Sequence, residues 1–283
     1  MSKAFAQVAR ETVKISTAGR YVTPAGTVVD IADAVRHAVF GTMLLREATL
    51  RSMIAAPPKP TPTTTTTIRC LPLRSGAAAQ LLLDRGAKRV GVLNYANGIR
   101  PGGGFLHGAE AQEEALCRCS GLFACLSSPR EDVRFFYDDN DAAKSALVRD
   151  HMLVSPDVPF FRDESLQLLE RPFPVTVITA AAPDLGWLLA TTSEGLEPKS
   201  NYDEIPALFA RRTREVFAAA RHAGCDAVVV GPWGCGAFGN DPEVVAEAFV
   251  GAVKDFGHAF EHILFSTWGS AANRKAFERR FTP

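Results

Sequence analysis

The sequence predicts an α/β fold, with a largely parallel or mixed sheet covered by helices on both faces and a helical segment ahead of it. Three observations predict this. Short apolar runs of strand length alternate with amphipathic stretches at helical spacing over most of the chain. The helical stretches carry capping residues at their ends. Two glycine-rich loops each follow directly on an apolar strand, where open α/β sheets place their ligands.

Taken in order, residues 2 to 54 are helical in composition with one interruption. Gly19 and the turn Thr23-Pro24-Ala25-Gly26 separate a first helix from a second. Asp30 is placed to cap that second helix, in which Ile31, Val35, Ala38, Val39 and Thr42 recur at helical spacing. The prolines between Pro57 and Pro62 then break any regular element. The threonine run that continues into Ile68 and Cys70 reads as a strand. Ser75 to Arg85 is an amphipathic helix closed by Gly86, and Arg89 to Asn94 a short apolar strand. Glu113 to Leu126 is helical in composition, and Val175 to Ala180 is a further buried strand. Asp203 to His222 carries Ile205, Leu208, Phe209, Val216 and Phe217 on one helical face, and Gly224 ends it. Asp226 to Val230 is a strand, and Asp241 with Pro242 opens the next helix. Ile263 to Ser266 is the last strand and Ala271 to Phe281 a closing helix. The charged and aromatic stretch from Ser127 to Pro174 has no assigned element, and no internal repeat is visible.

Composition narrows the function. Of 283 residues, 47% are apolar and 22% charged, which excludes a disordered, collagen-like or coiled-coil chain. The 31 basic residues are matched by 31 acidic ones, so no direct nucleic-acid partner gripped by counterion release is expected. A polyanionic ligand must then be held by backbone amides. The six cysteines form no CxxC pair and have no histidine at ligand spacing, so neither a zinc site nor a disulfide framework is expected. No stretch approaches the roughly 20 apolar residues of a membrane span, and the first seventeen residues lack the apolar core of a signal peptide. The expectation is a soluble, cytoplasmic protein with no membrane partner.

The first glycine loop runs Asn97-Gly98-Ile99-Arg100-Pro101-Gly102-Gly103-Gly104 and leads through residues 105 to 111 into Gln112-Glu113-Glu114. Three consecutive glycines allow close backbone approach and positive φ. Two carboxylates at the start of a helix suit its dipole, and after such a loop they also suit acid/base chemistry. The second loop, Gly231-Pro232-Trp233-Gly234-Cys235-Gly236-Ala237-Phe238-Gly239, has four glycines in nine residues between a strand and a helix start. That is a geometry for cradling phosphate oxygens with backbone amides. It matches neither the lysine-bearing phosphate loop nor the dinucleotide fingerprint, so nucleotide hydrolysis and hydride transfer lose support. Phe238 fits either a ring stacked on a sugar or a core residue.

The spacing of Gly102-Gly103-Gly104 and Gln112-Glu113-Glu114 resembles the signature of poly(ADP-ribose) glycohydrolases, in their compact bacterial branch. The stretch from Leu93 to Asn97 and that from Ala115 to Leu126 share the likeness, and Gly234 to Asp241 resembles the diphosphate loop of macrodomains. The resemblance covers nearly the whole chain. It implies a three-layer, macrodomain-like mixed sheet flanked by helices, with an N-terminal helical extension over 1–60 and a catalytic domain over 61–283. It implies an enzyme that hydrolyses the ribose–ribose O-glycosidic bonds of poly(ADP-ribose) and releases ADP-ribose, acting from chain ends, without metal or cofactor.

The resemblance also implies the roles. Glu114 is the acid/base, its pKa raised by burial or by the like charge of Glu113. Glu113 and Asn97 hold ribose hydroxyls, and Gln112 steadies the loop. The amides of Gly103, Gly104 and the run Gly234, Cys235, Gly236, Ala237, Phe238 and Gly239 hold the diphosphate, with Phe238 beside the terminal ribose. Partners are poly(ADP-ribose), ADP-ribose and ADP-ribosylated proteins. A non-catalytic ADP-ribose reader would have no need of the glutamate pair. A mono(ADP-ribosyl)-protein hydrolase is disfavoured only by the likeness around Gln112.

Overall fold

The computed structural model describes residues 2–56, 65–196 and 201–282. The proline break and the first threonines lie outside these residues. The chain begins with α1 (Lys3–Ala18), capped by the Ser2 hydroxyl, which accepts from the Phe5 amide. Gly19 closes it at φ +67°, where an added Cβ would lie 2.5 Å from Ala32 Cβ, so the turn requires glycine. A hairpin follows, β1 (Arg20–Val22) pairing antiparallel with β2 (Val28–Asp30). Then come α2 (Ala32–Gly41), β3 (Met43–Leu45) and α3 (Glu47–Ala55). The Asp30 carboxylate accepts from the Ala32 amide and so starts α2.

After these come β4 (Thr67–Leu71), α4 (Ser75–Asp84), β5 (Val90–Ala96), α5 (Gln112–Cys119), α6 (Leu122–Leu126) and α7 (Glu131–Ala143). The second half is β6 (Met152–Arg162), β7 (Leu168–Ala181), α8 (Leu185–Ser193), α9 (Asn201–His222), β8 (Ala227–Val230), α10 (Pro242–Phe256), β9 (His262–Ser266) and α11 (Ala271–Phe281). Seven strands form one mixed sheet in the order β3-β6-β7-β5-β8-β9-β4. The run β7-β5-β8-β9-β4 is parallel, and β6 and β3 add antiparallel at one edge.

Apolar packing fills both faces of this sheet. α3, α8, α9, α10 and α11 bury Leu50, Leu188, Phe209, Phe249 and Phe277 on one side. α1, α2 and α4 to α7 bury residues such as Ala9, Ala38, Leu82, Leu116, Leu122 and Phe136 on the other. β5 lies at the centre and is buried almost throughout, as a parallel strand covered on both faces must be. Among the described residues no helix is long and apolar enough to cross a membrane.

Three parts depart from the sequence expectation. The stretch before residue 60, read as two helices and a turn, also contains the hairpin and β3. β3 pairs with β6 through Met43–Val154, Leu44–Leu153 and Leu45–Met152, so this stretch contributes the edge of the main sheet. The single helix expected over 113–126 is divided at Ser120 and Gly121. There the Ser120 hydroxyl donates to Leu116 O and accepts from Leu122 N, and Gly121 N donates to Pro159 O. The unassigned stretch 127–174 holds α7 and most of the β6–β7 hairpin.

The topology sets the site. β5 and β8 are parallel neighbours in register, Val90 beside Ala227 and Val92 beside Val229. The loops that leave their carboxyl ends therefore emerge side by side.

Candidate active site

The first loop is built around Asn97. Its Oδ1 accepts from the amides of Ile99 and Arg100 at 3.0 and 2.9 Å, turning the chain back after β5. Gly102 and Gly103 then adopt φ of +68° and +56°. A Cβ on Gly102 would come within 2.8 Å of the Phe123 ring, and one on Gly103 within 2.5 Å of Glu114 Oε1. The glycine run is thus the space in which the glutamate pair sits.

α5 opens on that pair. Gln112 turns back to the sheet: its Oε1 accepts from Tyr95 N at 2.9 Å, and its Nε2 donates to Leu93 O at 2.8 Å and to Ser75 Oγ at 3.0 Å. Glu113 is 2% exposed, and its oxygens accept from Asn94 Nδ2 at 3.2 Å and Asn97 N at 2.9 Å. Burial pushes its pKa up to about 8, against the hydrogen bonds from Asn97 and Asn94 and with a further rise from Glu114. Burial is thus the main cause of the elevated pKa at Glu113. Glu114 is 7% exposed; its Oε1 accepts from Gly104 N at 2.9 Å, while its Oε2 has no hydrogen-bond partner among the described residues.

These bonds engage two amides that were expected at the diphosphate. Gly103 N donates to Arg100 O at 3.0 Å and Gly104 N to Glu114, so neither amide is left for a ligand. Their task is to hold the turn and the carboxylate.

The second loop is organised from beneath. Trp233 is fully buried and donates from Nε1 to Ala180 O at 3.2 Å. Asn240 Nδ2 donates to Pro183 O at 2.8 Å and Gly234 O at 3.0 Å, and Leu185 N donates to Phe238 O at 2.9 Å. Cys235 N and Gly239 N donate within the loop, to Pro232 O and Gly236 O. The amides of Gly234, Gly236, Ala237 and Phe238 have no hydrogen-bond partner among the described residues. Four donors of one loop are thereby left for an anion. Gly234 sits at φ +75°, with Ala182 Cβ 2.6 Å from where its own Cβ would be. Phe238 is half-buried, packs on the core below and lines the cavity.

A cavity of about 420 Å³ joins the two loops, lined by Asn97, Gln112, Glu113 and Glu114 on one side and by Gly234, Gly236, Ala237 and Phe238 on the other. Cys235, Gly239, Gly103 and Gly104 are not part of its wall. The sequence reading missed further wall residues. Phe5 of α1 lies 4.5 Å over the Arg118 guanidinium, and Arg74 lies 5.0 Å over the exposed Trp268 ring, with Glu110 and Glu164 as ion partners. Trp268 was foreshadowed only by its place after the last strand. Phe5, far ahead of the signature in the chain, left no signal in the spacing.

Residues 9–163 match the family model of the microbial-type PARG catalytic domain. The chain is similar over its length to the crystal structure of poly(ADP-ribose) glycohydrolase (PARG) from Thermomonospora curvata. Identity is 39%, 99% of this chain and 100% of that one are covered, and the TM-score is 0.89. The structure of that enzyme bound to the inhibitor ADP-HPD matches at 40% identity over the same shares, with a TM-score of 0.86. Poly(ADP-ribose) glycohydrolase from Deinococcus radiodurans in complex with ADP-ribose is 34% identical, over 87% of this chain and 96% of that one, with a TM-score of 0.78. No curated protein sequence matches the chain. With a family model that spans more than half of it and solved relatives that span nearly all of it, the chain belongs to the microbial-type poly(ADP-ribose) glycohydrolases.

Proposed function

We propose that the chain, as a poly(ADP-ribose) glycohydrolase, cleaves the ribose–ribose O-glycosidic bond with Glu114 as the acid/base. The observation that carries this is the asymmetry of its carboxyl group. Oε1 is fixed by the Gly104 amide, and Oε2 is left without a partner in a residue that lines the cavity. Protonated Glu114 gives its proton to the departing ribose oxygen as the C1–O bond breaks and positive charge develops on the anomeric carbon. Water then attacks that carbon and returns a proton to Glu114. One water is consumed, and the enzyme ends as it began.

Glu113, with a pKa near 8, is largely neutral at pH 7, so the pair does not bring two negative charges to the sugar. It orients the ribose hydroxyls together with Asn97. The unpartnered amides of Gly234, Gly236, Ala237 and Phe238 hold the diphosphate, which agrees with a chain whose formal net charge is zero. Phe238 flanks the terminal ribose and keeps water from the reacting centre. ADP-ribosylated proteins are the carriers of the substrate. The unpaired cysteines support a reducing, cytoplasmic setting.

The test is digestion of poly(ADP-ribose) by wild type and Glu114→Ala, with products separated by chromatography. Turnover falls by roughly 100- to 10,000-fold in the variant, while ADP-ribose affinity stays within a few-fold by calorimetry. Near-normal hydrolysis by Glu114→Ala overturns the assignment. Free ADP-ribose as the early product supports attack from chain ends; abundant early oligomers contradict it.

A further inference from the structure

The second loop does not stand alone. Its supports converge on the segment from Ala180 to Leu185: Trp233 bonds Ala180 O, Ala182 fills the space beside Gly234, Asn240 bonds Pro183 O, and Leu185 bonds Phe238 O. β5 pairs with Ala180 and Ala181, and a side chain on α9 ties the end of β7 to the turn that holds Asp184. Arg212 is 1% exposed and donates from Nη1 to Ala181 O at 3.2 Å, at the end of β7. Its Nη2 donates to Leu147 O and Val148 O at 2.8 and 3.0 Å, gripping the 146–148 turn, whose Ala146 O accepts from Asp184 N. Its Nε donates to Asp150 Oδ1 at 2.7 Å, which balances the buried charge. Arg211 and Arg51 complete Asp150 from the other side, through its Oδ2. Every nitrogen of the Arg212 guanidinium is thus in use: one bonds the shelf itself, and a second bonds the turn that holds Asp184.

We infer that Arg212, which faces neither loop, is a positioning residue for ligand binding: it sets the height of the Ala181–Asp184 shelf on which the second loop rests. This rests on the reading of that loop as the diphosphate cradle. The planar fork is what the role demands. A lysine keeps the charge and reaches Asp150 or one carbonyl, but it cannot hold β7 and the turn together. Arg211 sets the contrast, because it shares Asp150 yet makes no bond to the shelf.

The experiment measures ADP-ribose affinity by calorimetry and polymer kinetics for Arg212→Lys and Arg211→Met, with Gly234→Ala as a direct lesion of the cradle. Arg212→Lys raises the ADP-ribose Kd and the polymer KM about tenfold while kcat stays within threefold, and Arg211→Met leaves both constants within twofold. A folded Arg212→Lys protein that binds ADP-ribose like wild type, or that loses kcat with KM unchanged, overturns the inference. So does an equal loss of affinity in Arg211→Met, which would make the ion cluster, not the grip on the shelf, responsible. If Gly234→Ala also binds like wild type, the cradle reading itself fails; if only Gly234→Ala weakens binding, the role of Arg212 alone falls. Should Arg212→Lys not fold, amide exchange on wild type decides. ADP-ribose slows exchange at Asp184 and Leu185 as well as in the loop if the shelf is coupled to the ligand, and leaves those two unchanged if it is not.

Discussion

The two glycine loops look alike as text, and the structure uses them in opposite ways. In the first, the amides are consumed internally: those of Ile99 and Arg100 by Asn97, that of Gly103 by Arg100 and that of Gly104 by Glu114. In the second, the amides of Gly234, Gly236, Ala237 and Phe238 are left without partners among the described residues, while the side chains of Trp233 and Asn240 tie the loop down from below. One loop therefore spends its donors on placing a carboxylate, and the other leaves its own unpaired. Glycine content signals close approach, but only the hydrogen-bond ledger says what is being approached.

This contrast makes the loops separable by mutation. The largest effect is expected from Gly103→Ala. The new Cβ would lie 2.5 Å from Glu114 Oε1, in a backbone held at φ +56°. Displacing the acid/base by a fraction of an ångström to an ångström lowers polymer turnover by about 100-fold, with ADP-ribose affinity nearly kept. A Gly103→Ala enzyme that loses affinity and keeps kcat would erase the distinction. Gly234→Ala is the mirror experiment: crowding against Ala182 and Asn240 Nδ2 at 2.6 and 2.7 Å raises the ADP-ribose Kd by about tenfold, roughly the loss of one well-made bond to a charged group. Its kcat at saturating polymer stays within threefold, and equal losses in both constants would count against a purely ligand-holding loop.

The smallest effect concerns stability and belongs to the first loop alone. Glu113 titrates near 8 in the folded chain and near its ordinary 4.5 when unfolded. Between those values the folded state binds more protons than the unfolded one. The stability associated with neutral Glu113 is thus complete below about pH 4.5 and is lost as pH rises through about 8. Glu113→Gln cannot ionise, so its Tm rises relative to wild type as buffers go from pH 5 to pH 9. Parallel Tm curves over that range would show that Glu113 is not buried in its neutral form.

What was legible in the sequence follows the same division. Local signals were read well: Asp241 with Pro242 opens α10, Gly86 at φ +100° follows α4, and α11 spans the expected Ala271 to Phe281. The glutamate pair and the second loop do meet at one cavity, because β5 and β8 are neighbours. Several of the misreadings are non-local. Met43 to Leu45 is a strand only because β6 offers it a free edge, and Ser120 ends a helix because it meets Phe160 across the fold. Phe5 lines the cavity because Ser2 N donates to Gly108 O and the Thr12 hydroxyl to Arg118 O, contacts no spacing rule reveals. The silencing of the Gly103 and Gly104 amides is of this kind too, since their partners had to be seen in space.

The placement of β3 also bears on the birth of the molecule. Met43 to Leu45 leaves the ribosome long before Met152 to Val154, the only strand it pairs with among those described. β4, at the opposite edge, waits longer still for His262 to Ser266. Both rims of the sheet are thus made early and seated late, so the nascent chain carries β3 unpaired until β6 appears and β4 unpaired until the final strand does. During synthesis these are the segments most open to pairing with a neighbouring chain, and the last strand to emerge is the one that closes the second of them.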